Sequence, residues 1–537
     1  MKTKIFSILV FFLTTVFYIY TLSPSLAWGD GTRLQSEAIS GESIILSEMP
    51  VSVFSPDPFI FSKVSVTAWD HPLYIVLGHL LVKALPFVNS LWLVNLISAI
   101  FGTASVVLVF QLCYRHTNSL LASSYAAFAL AVSHTFWWHS STPEVYTLFT
   151  FLLLVSYLFF DKFEQNKNTL HLFLTAFFLG LAASNHILAF LAFPALGLYF
   201  VLSRNIHIQI SGWRKMILPL FGFLLGFSLY IIQFIRITRS LPFNEIAGSL
   251  VGSTFLSGLS ISPLVLGESL LKYLFFLLLQ FGLPGIVLSI IGIRKGFENK
   301  KILSFYIVYM LFGVFYRVSD QFAFFLTSYV FFAILMGLGL NHLLKTLDEK
   351  PRFVLTFILL LTIILTPLFY IALPTLADRF GVNDASLDIP KVGTGVRDGL
   401  AYYINPYKHG DYEAHDFGIQ TLNSLPPNAV VIAEWYTDTD EYFVLRYFNK
   451  VESVRPDVTV LGWMTVPPAS FDPQLMLDIV EESLPDRPVY LASLSDRFYA
   501  SSSLIEMYCI VPENNLYRLH PKDGDSLQCL GIDSITE

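Results

Sequence analysis

Long apolar runs separated by short polar stretches fill the chain from its start to about residue 375, and then the pattern stops. A helix needs about 20 apolar residues to cross the hydrocarbon core of a membrane. About eleven spans are predicted on that basis, near residues 5–22, 91–113, 119–137, 145–160, 169–184, 187–202, 216–235, 269–292, 302–317, 320–340 and 353–374. A further run, Leu73 to Phe87, is short, holds Gly78, His79 and Lys83, and ends after Pro86. It reads as an amphipathic helix lying in the interface. The spans at 169–184 and 187–202 are also short. They flank Ser184-Asn185-His186 and read as tilted or broken helices around a polar site.

After Asp378 the pattern is that of a soluble α/β domain. Ala429–Ala433 and Val458–Leu461 are apolar runs of strand length, each following turn material at Pro426-Pro427-Asn428 and Arg455-Pro456-Asp457. Gln474 to Ser483 reads as a helix, and Val489–Ala492 as a further strand. The expected architecture is mainly α: a polytopic helical membrane bundle over 1–377, with a long first outer loop at 23–90, and a soluble α/β domain over 378–537.

Charge orients this arrangement. The chain is 54% hydrophobic and only 14% charged. Residues 1–377 carry 22 Lys and Arg against 15 Asp and Glu, and the remainder carries 11 against 25. Lys and Arg gather in cytoplasmic loops. With Lys2 and Lys4 inside, the inside loops hold 15 Lys and Arg and the outside loops 7. The acidic C-terminal domain is therefore expected outside the cytoplasm, in a bacterial inner membrane protein whose N-terminus is cytoplasmic. Its charge argues against nucleic acid or anionic lipid as its partner. The first segment reads as an uncleaved spanning helix, although Ser25-Leu26-Ala27 offers a cleavage site. Cys509 and Cys529, the only cysteines of the outer domain, are expected to form a disulfide.

Candidate chemistry lies on the outer side. Asp30 stands between Gly29 and Gly31 at the exit of the first span, where low dielectric raises a carboxyl's pKa and suits it to take a hydroxyl proton. Its structural alternative is a turn cap. Asp70 fits an N-cap for the interfacial helix that Pro72 begins, and His71 is a proton carrier or phosphate partner. Glu144 follows Pro143 at the start of a span, as a cap or as an inward-facing carboxylate. His186 stands alone between two short spans. Arg317 and Asp320, at a late outer turn, either pair with each other or leave Arg317 to hold a lipid phosphate. No P-loop, GxGxxG, HExxH or GxSxG motif is present, and no Cys/His cluster suggests a metal site.

This layout resembles the GT-C membrane glycosyltransferases, which take a sugar from a polyprenyl-phosphate carrier. More closely, it resembles the bacterial transmembrane family related to the animal O-mannosyltransferase of plexin-type receptors. The resemblance rests on Gly29-Asp30-Gly31-Thr32-Arg33-Leu34, His71-Pro72-Leu73-Tyr74, Pro143-Glu144-Val145-Tyr146, Ser184-Asn185-His186, Ser328-Tyr329 with Gly337-Leu338-Gly339, Asn405-Pro406-Tyr407 and Val454–Val458. It departs where the family's Glu is Arg33, and in a longer first loop. The resemblance implies a glycosyltransferase with Asp30 and Glu144 as catalytic carboxylates. Arg33, Asp70, His71, His186, Arg317 and Asp320 are the candidates to bind the donor. Its partners would be membrane lipid, a polyprenyl-phosphate sugar and a protein or glycan acceptor, with no nucleic acid. No cofactor is expected, and a divalent metal stays open. The alternative is a transporter or flippase of a lipid-linked sugar, which would use the same polar residues without making bonds.

Overall fold

The computed structural model describes residues 2–41, 71–203, 214–238, 258–260, 262–296, 299–318, 320–387, 389, 391–434, 441–463, 473–522 and 528–531. The first helix, α1 (Lys2–Thr21), buries only Val10, Thr14, Tyr18 and Thr21. That spacing of three and four is one helical stripe. Its opposite face leaves Ile8 and Phe12 more than half exposed, a surface suited to lipid.

After α1 come α2 (Asp30–Ser40) and α3 (Pro72–Ala84). The bundle continues with α4 (Ser90–Thr117), α5 (Leu120–Ala131), α6 (His134–Ser141), α7 (Tyr146–Asn166) and α8 (Thr169–Asn185). A 3-10 turn at Ile187–Leu191 leads into α9 (Ala192–Ser203), followed by α10 (Arg214–Gly226) and α11 (Ser228–Thr238). Next are α12 (Pro263–Gly296), α13 (Lys300–Phe315), α14 (Gln321–Phe324), α15 (Leu326–Thr346) and α16 (Glu349–Arg379). Among the described residues, six helices (α1, α4, α7, α12, α15, α16) are long and apolar enough to cross a membrane singly. The count reaches eight if the bent pairs α5–α6 and α10–α11 are each one span. The other three predicted runs are shorter helices, α8, the Ile187–Ser203 segment and α13. The protein is a multi-pass membrane protein.

The core is built around α15, whose residues 326–340 are all buried, as expected for a helix apolar on every face. Glycines set its contact with α12. A Cβ on Gly339 would collide with the Leu288 carbonyl, and one on Gly292 with the Leu335 carbonyl, so the two backbones touch. At the far end of α7 from Glu144, the Lys301 ammonium is bonded to both Asp161 and Glu164, and the Tyr199 hydroxyl donates to Glu164 at 2.7 Å. This buried cluster ties α13 to α7 and α9.

The C-terminal domain contains α17 (Gly399–Ile404) and α18 (Glu413–Ser424), then β1 (Val430–Glu434), α19 (Glu441–Arg446), β2 (Thr459–Trp463), α20 (Pro473–Ser483), β3 (Val489–Leu491), β4 (Tyr508–Glu513) and β5 (Leu516–Pro521). Strands run in the order β2-β1-β3-β5-β4. The first three are parallel, with Val430 opposite Thr459 and Val489, and β5 and β4 join antiparallel. The predicted strands and helix fall where expected. The β4–β5 hairpin does not appear in the sequence reading; its Asn514-Asn515 turn has φ of 54° and 68°, the left-handed pair a tight hairpin requires. Cys509 in β4 is disulfide-bonded to Cys529, with Cα atoms 5.1 Å apart.

Candidate active site

The site forms at the end of the bundle that carries the C-terminal domain. Gly29, at φ 73° and ψ −151°, makes a turn closed to residues with a side chain, and α2 starts at Asp30. The next glycine serves close packing. A Cβ on Gly31 would lie 3.0 Å from Pro143 Cγ and 3.0 Å from Ala27 Cβ. The Asp30 turn is therefore pressed against the segment that carries Glu144. Gln35 pins the approach to this turn: it accepts from the Ala27 N–H at 3.2 Å and donates to Ser25 O at 3.1 Å and to Asn95 at 2.8 Å.

Asp30 is not buried; its side chain is 43% exposed. Arg33 Nε lies 3.6 Å from it, and the other end of the guanidinium lies 3.5 Å from Glu37. Arg33 and Glu37 are both buried. Arg33, a donor-binding candidate in the sequence, is thus a strut between two carboxylates. Glu37 was missed because it looked like one more acid of a polar loop.

Glu144 lies between α6 and α7. Ser98 of α4 fixes its backbone, accepting from its N–H and donating to its carbonyl, both at 3.0 Å, and Tyr74 of α3 shares the Ser98 hydroxyl at 3.1 Å. Burial, with the Asp30 and Asp320 carboxylates nearby, pushes the Glu144 carboxyl well above its ordinary pKa. The two acids therefore differ in surroundings: Asp30 is open and faces an arginine, and Glu144 is enclosed, with its carboxyl pKa raised by that burial. Pairs of carboxyls set apart in this way divide acid and base roles.

His139 is the second residue missed. It is buried, and among the described residues neither ring nitrogen has a hydrogen-bond partner. Its Nδ1 lies 4.0 Å from Glu144, and its ring packs against Tyr146 at 4.8 Å and Phe322 at 5.7 Å. The Trp-Trp-His sequence reads as an interface belt. Only the 62° bend between α5 and α6 turns it inward.

The predicted histidines meet each other. His71 caps α3 from a left-handed conformation, φ 31° and ψ 52°, with Pro72 at the first helical position. This corrects the expected cap: Asp70 lies outside the described residues, and His71 holds the cap position. His71 Nδ1 is 2.6 Å from Asn185 O, and the ring stacks on His186 at 5.3 Å. Burial, His186 and Arg33 hold the His71 pKa well below its usual value, so it is neutral at pH 7. His186 accepts from the Leu188 N–H at 3.1 Å and so caps the 3-10 turn that follows it. Asn185 donates to Val145 O at 2.8 Å and joins this pair to the Glu144 segment. Asp320 precedes α14 on the same side. Arg317 instead pairs with Glu268 at 3.2 Å and is half exposed. Among the described residues, no group of three His, Cys, Asp or Glu could hold a metal ion.

A helical bundle with an inward-facing carboxylate site at one end, covered by a small α/β domain, is the ArnT-like, GT-C type of membrane fold. Two structures of ArnT from Cupriavidus metallidurans share it. The one bound to undecaprenyl phosphate has a TM-score of 0.56 at 12% identity, and the apo one 0.55 at 13%. In both cases the match covers 95% of this chain and 97% of the ArnT chain. In sequence, residues 70–209 match the family described as Protein O-mannosyl-transferase TMEM260 N-terminal domain. A Dictyostelium discoideum protein named Protein O-mannosyl-transferase tmem260 is 23% identical over 567 residues, covering 90% of this chain. This chain spans 63% of that relative's length. The matched family segment includes His71, His139, Glu144 and His186, whereas Asp30 lies before it.

Proposed function

We propose that this protein is a membrane glycosyltransferase that moves a sugar, with mannose the first candidate, from a polyprenyl-phosphate donor to an acceptor hydroxyl on a protein or glycan. The reaction takes place at the outer face of the membrane. The observation that carries this reading is the convergence of Asp30 and Glu144 in unlike environments through the Gly31–Pro143 contact. The family match, the relative's name and the fold shared with an undecaprenyl-phosphate-bound protein support it.

The reaction is an inverting displacement. The acceptor oxygen bonds to the anomeric carbon as the bond from that carbon to the phosphate oxygen breaks. The polyprenyl phosphate leaves with the electron pair. Asp30 takes the acceptor proton, and Arg33 holds the Asp30 carboxylate in place. Glu144 in its protonated form donates a hydrogen bond to the sugar or the leaving phosphate. His71 and His186 line the donor side, while Arg317 and Asp320 flank its entrance. Because the leaving group is already a phosphate, the reaction needs no cofactor. The test is to incubate the purified protein in lipid nanodiscs with a panel of polyprenyl-phosphate sugars and a mixed acceptor pool, and to identify products by mass spectrometry. Transfer from one donor class is expected; absence of any glycosylated product across the panel sinks the reading.

A further inference from the structure

The C-terminal domain meets the bundle through a cluster of rings and cations centred on Tyr402 of α17. The Tyr402 hydroxyl accepts a hydrogen bond from the backbone N–H of Trp28 at 3.1 Å. Its carbonyl accepts from Lys408 Nζ at 2.6 Å and from Trp138 Nε1 at 3.3 Å. The Lys408 ammonium lies 3.8 Å from the Tyr402 ring centre. The Arg397 guanidinium lies 5.6 Å from the Trp28 ring and 5.7 Å from that of Tyr402. Both cations are buried, at 5% and 3% exposure. The Lys408 N–H also donates to Thr21 O at 3.0 Å, at the last residue of α1.

Trp28 is thus held by the C-terminal domain through both its ring and its backbone. Asp30 is two residues further on, and the residue between them is Gly29, in a conformation only glycine adopts readily. A glycine joint transmits position only if the peptide before it is fixed. The Gln35 contacts fix Ala27, and on the side of the C-terminal domain Trp28 is held by the Tyr402 hydroxyl on its backbone and by Arg397 and the Phe417 ring, 5.4 Å away, on its own ring. We infer that Tyr402, backed by Arg397, is a positioning residue: the C-terminal domain sets the place of the Asp30 carboxylate by clamping the Trp28–Gly29 peptide. The domain is then part of the catalytic scaffold, beyond any part it has in recognising acceptors. The inference rests on the reading of Asp30 as the base.

Tyr402→Phe in the full-length protein tests it. The variant keeps the ring under Lys408 and Arg397 and removes only the acceptor hydroxyl. Two readouts separate positioning from general stability. With undecaprenyl-phosphate mannose as donor, kcat should fall about tenfold, because small misplacements of a catalytic group are costly, while KM for the donor stays within about twofold. Amide hydrogen exchange in peptides covering Trp28 to Glu37 should rise about fivefold or more, with α15 unchanged. Arg397→Lys, which keeps the charge but loses the planar stack, should shift both readouts in the same direction and serves if Tyr402→Phe does not fold. Wild-type exchange over Trp28–Glu37, or exchange raised throughout the bundle, overturns the clamp. So does a raised KM at unchanged kcat. If the wild-type protein transfers no sugar, the proposed function fails, and the exchange measurement still decides whether Tyr402 holds this loop.

Discussion

Asp30→Asn is the perturbation that most sharply separates a catalytic carboxylate from a structural one. Asparagine keeps the size of the side chain and its hydrogen-bonding reach but cannot take a proton. The structure bounds the stability cost. The Asp30 side chain is 43% exposed and its ion pair with Arg33 is 3.6 Å long, a geometry worth about 0–1 kcal/mol in exposed pairs. The cost is raised slightly because Arg33 is itself buried, but Glu37 remains as its second partner at 3.5 Å. Folding should therefore survive. Asp30 is the first residue of α2, behind the Gly29 cap, so the change also removes a negative charge that suits a helix N-terminus, worth about 0.3–1 kcal/mol. Loss of a general base slows reactions by about 10²–10⁴, which is roughly 3–5 kcal/mol of barrier. The assay is sugar transfer by protein in nanodiscs, with thermal unfolding and donor binding measured on the same preparation. The expected result is a rate reduced by about two orders of magnitude or more, with donor affinity intact. A rate within a few-fold of wild type refutes the assignment. If Glu144→Gln is then inactive, the proton acceptor is Glu144 instead.

Other expectations follow from the same geometry. Glu144 has a raised pKa in the folded protein, so its contribution to stability is full below the ordinary glutamate pKa and is lost as pH rises through the raised value. Unfolding temperature against pH should fall across that window in the wild type and be flatter in Glu144→Gln; parallel curves would contradict the shift. Lys301→Met leaves Asp161 and Glu164 without the cation they share, and breaking a buried pair costs about 3–5 kcal/mol. Lys301→Met combined with Asp161→Asn and Glu164→Gln should recover much of that loss in denaturant melts, and no recovery would mean the cluster is not held by charge. For topology, a C-terminal alkaline phosphatase fusion in a bacterial host should be active and a green fluorescent protein fusion dark. The opposite pair would invert the proposed sidedness and remove α3 from its interfacial assignment.

The fold was legible because the physics of a bilayer is written locally. Each predicted apolar run is helical in the structure, several of them as bent or broken pairs, and Pro72 marks the start of α3. The parallel strands β1, β2 and β3 were legible from short apolar runs behind turn residues. Contacts between distant segments were not. Lys301 meets Asp161 across 140 residues, and no local pattern encodes that. The same holds for Tyr402 on Trp28, 374 residues apart. Within the site, Asp30, Glu144, His71 and His186 stood out as polar residues at membrane depth. His139 did not, because its loop carries two tryptophans and reads as an ordinary interface belt until α6 folds back. For Arg33, a donor-binding candidate from the resemblance, the structure adds what the sequence reading did not state: helical spacing places it between Asp30 and Glu37, at i−3 and i+4.

The most direct test of the account is the fate of the lipid carrier. Purified protein in nanodiscs, given undecaprenyl-phosphate mannose and an acceptor, should release free undecaprenyl phosphate in a one-to-one ratio with glycosylated acceptor, and Asp30→Asn should release neither. In sealed proteoliposomes, movement of the intact lipid-linked sugar between leaflets, with no free undecaprenyl phosphate formed, would contradict the account and identify the protein as a transporter.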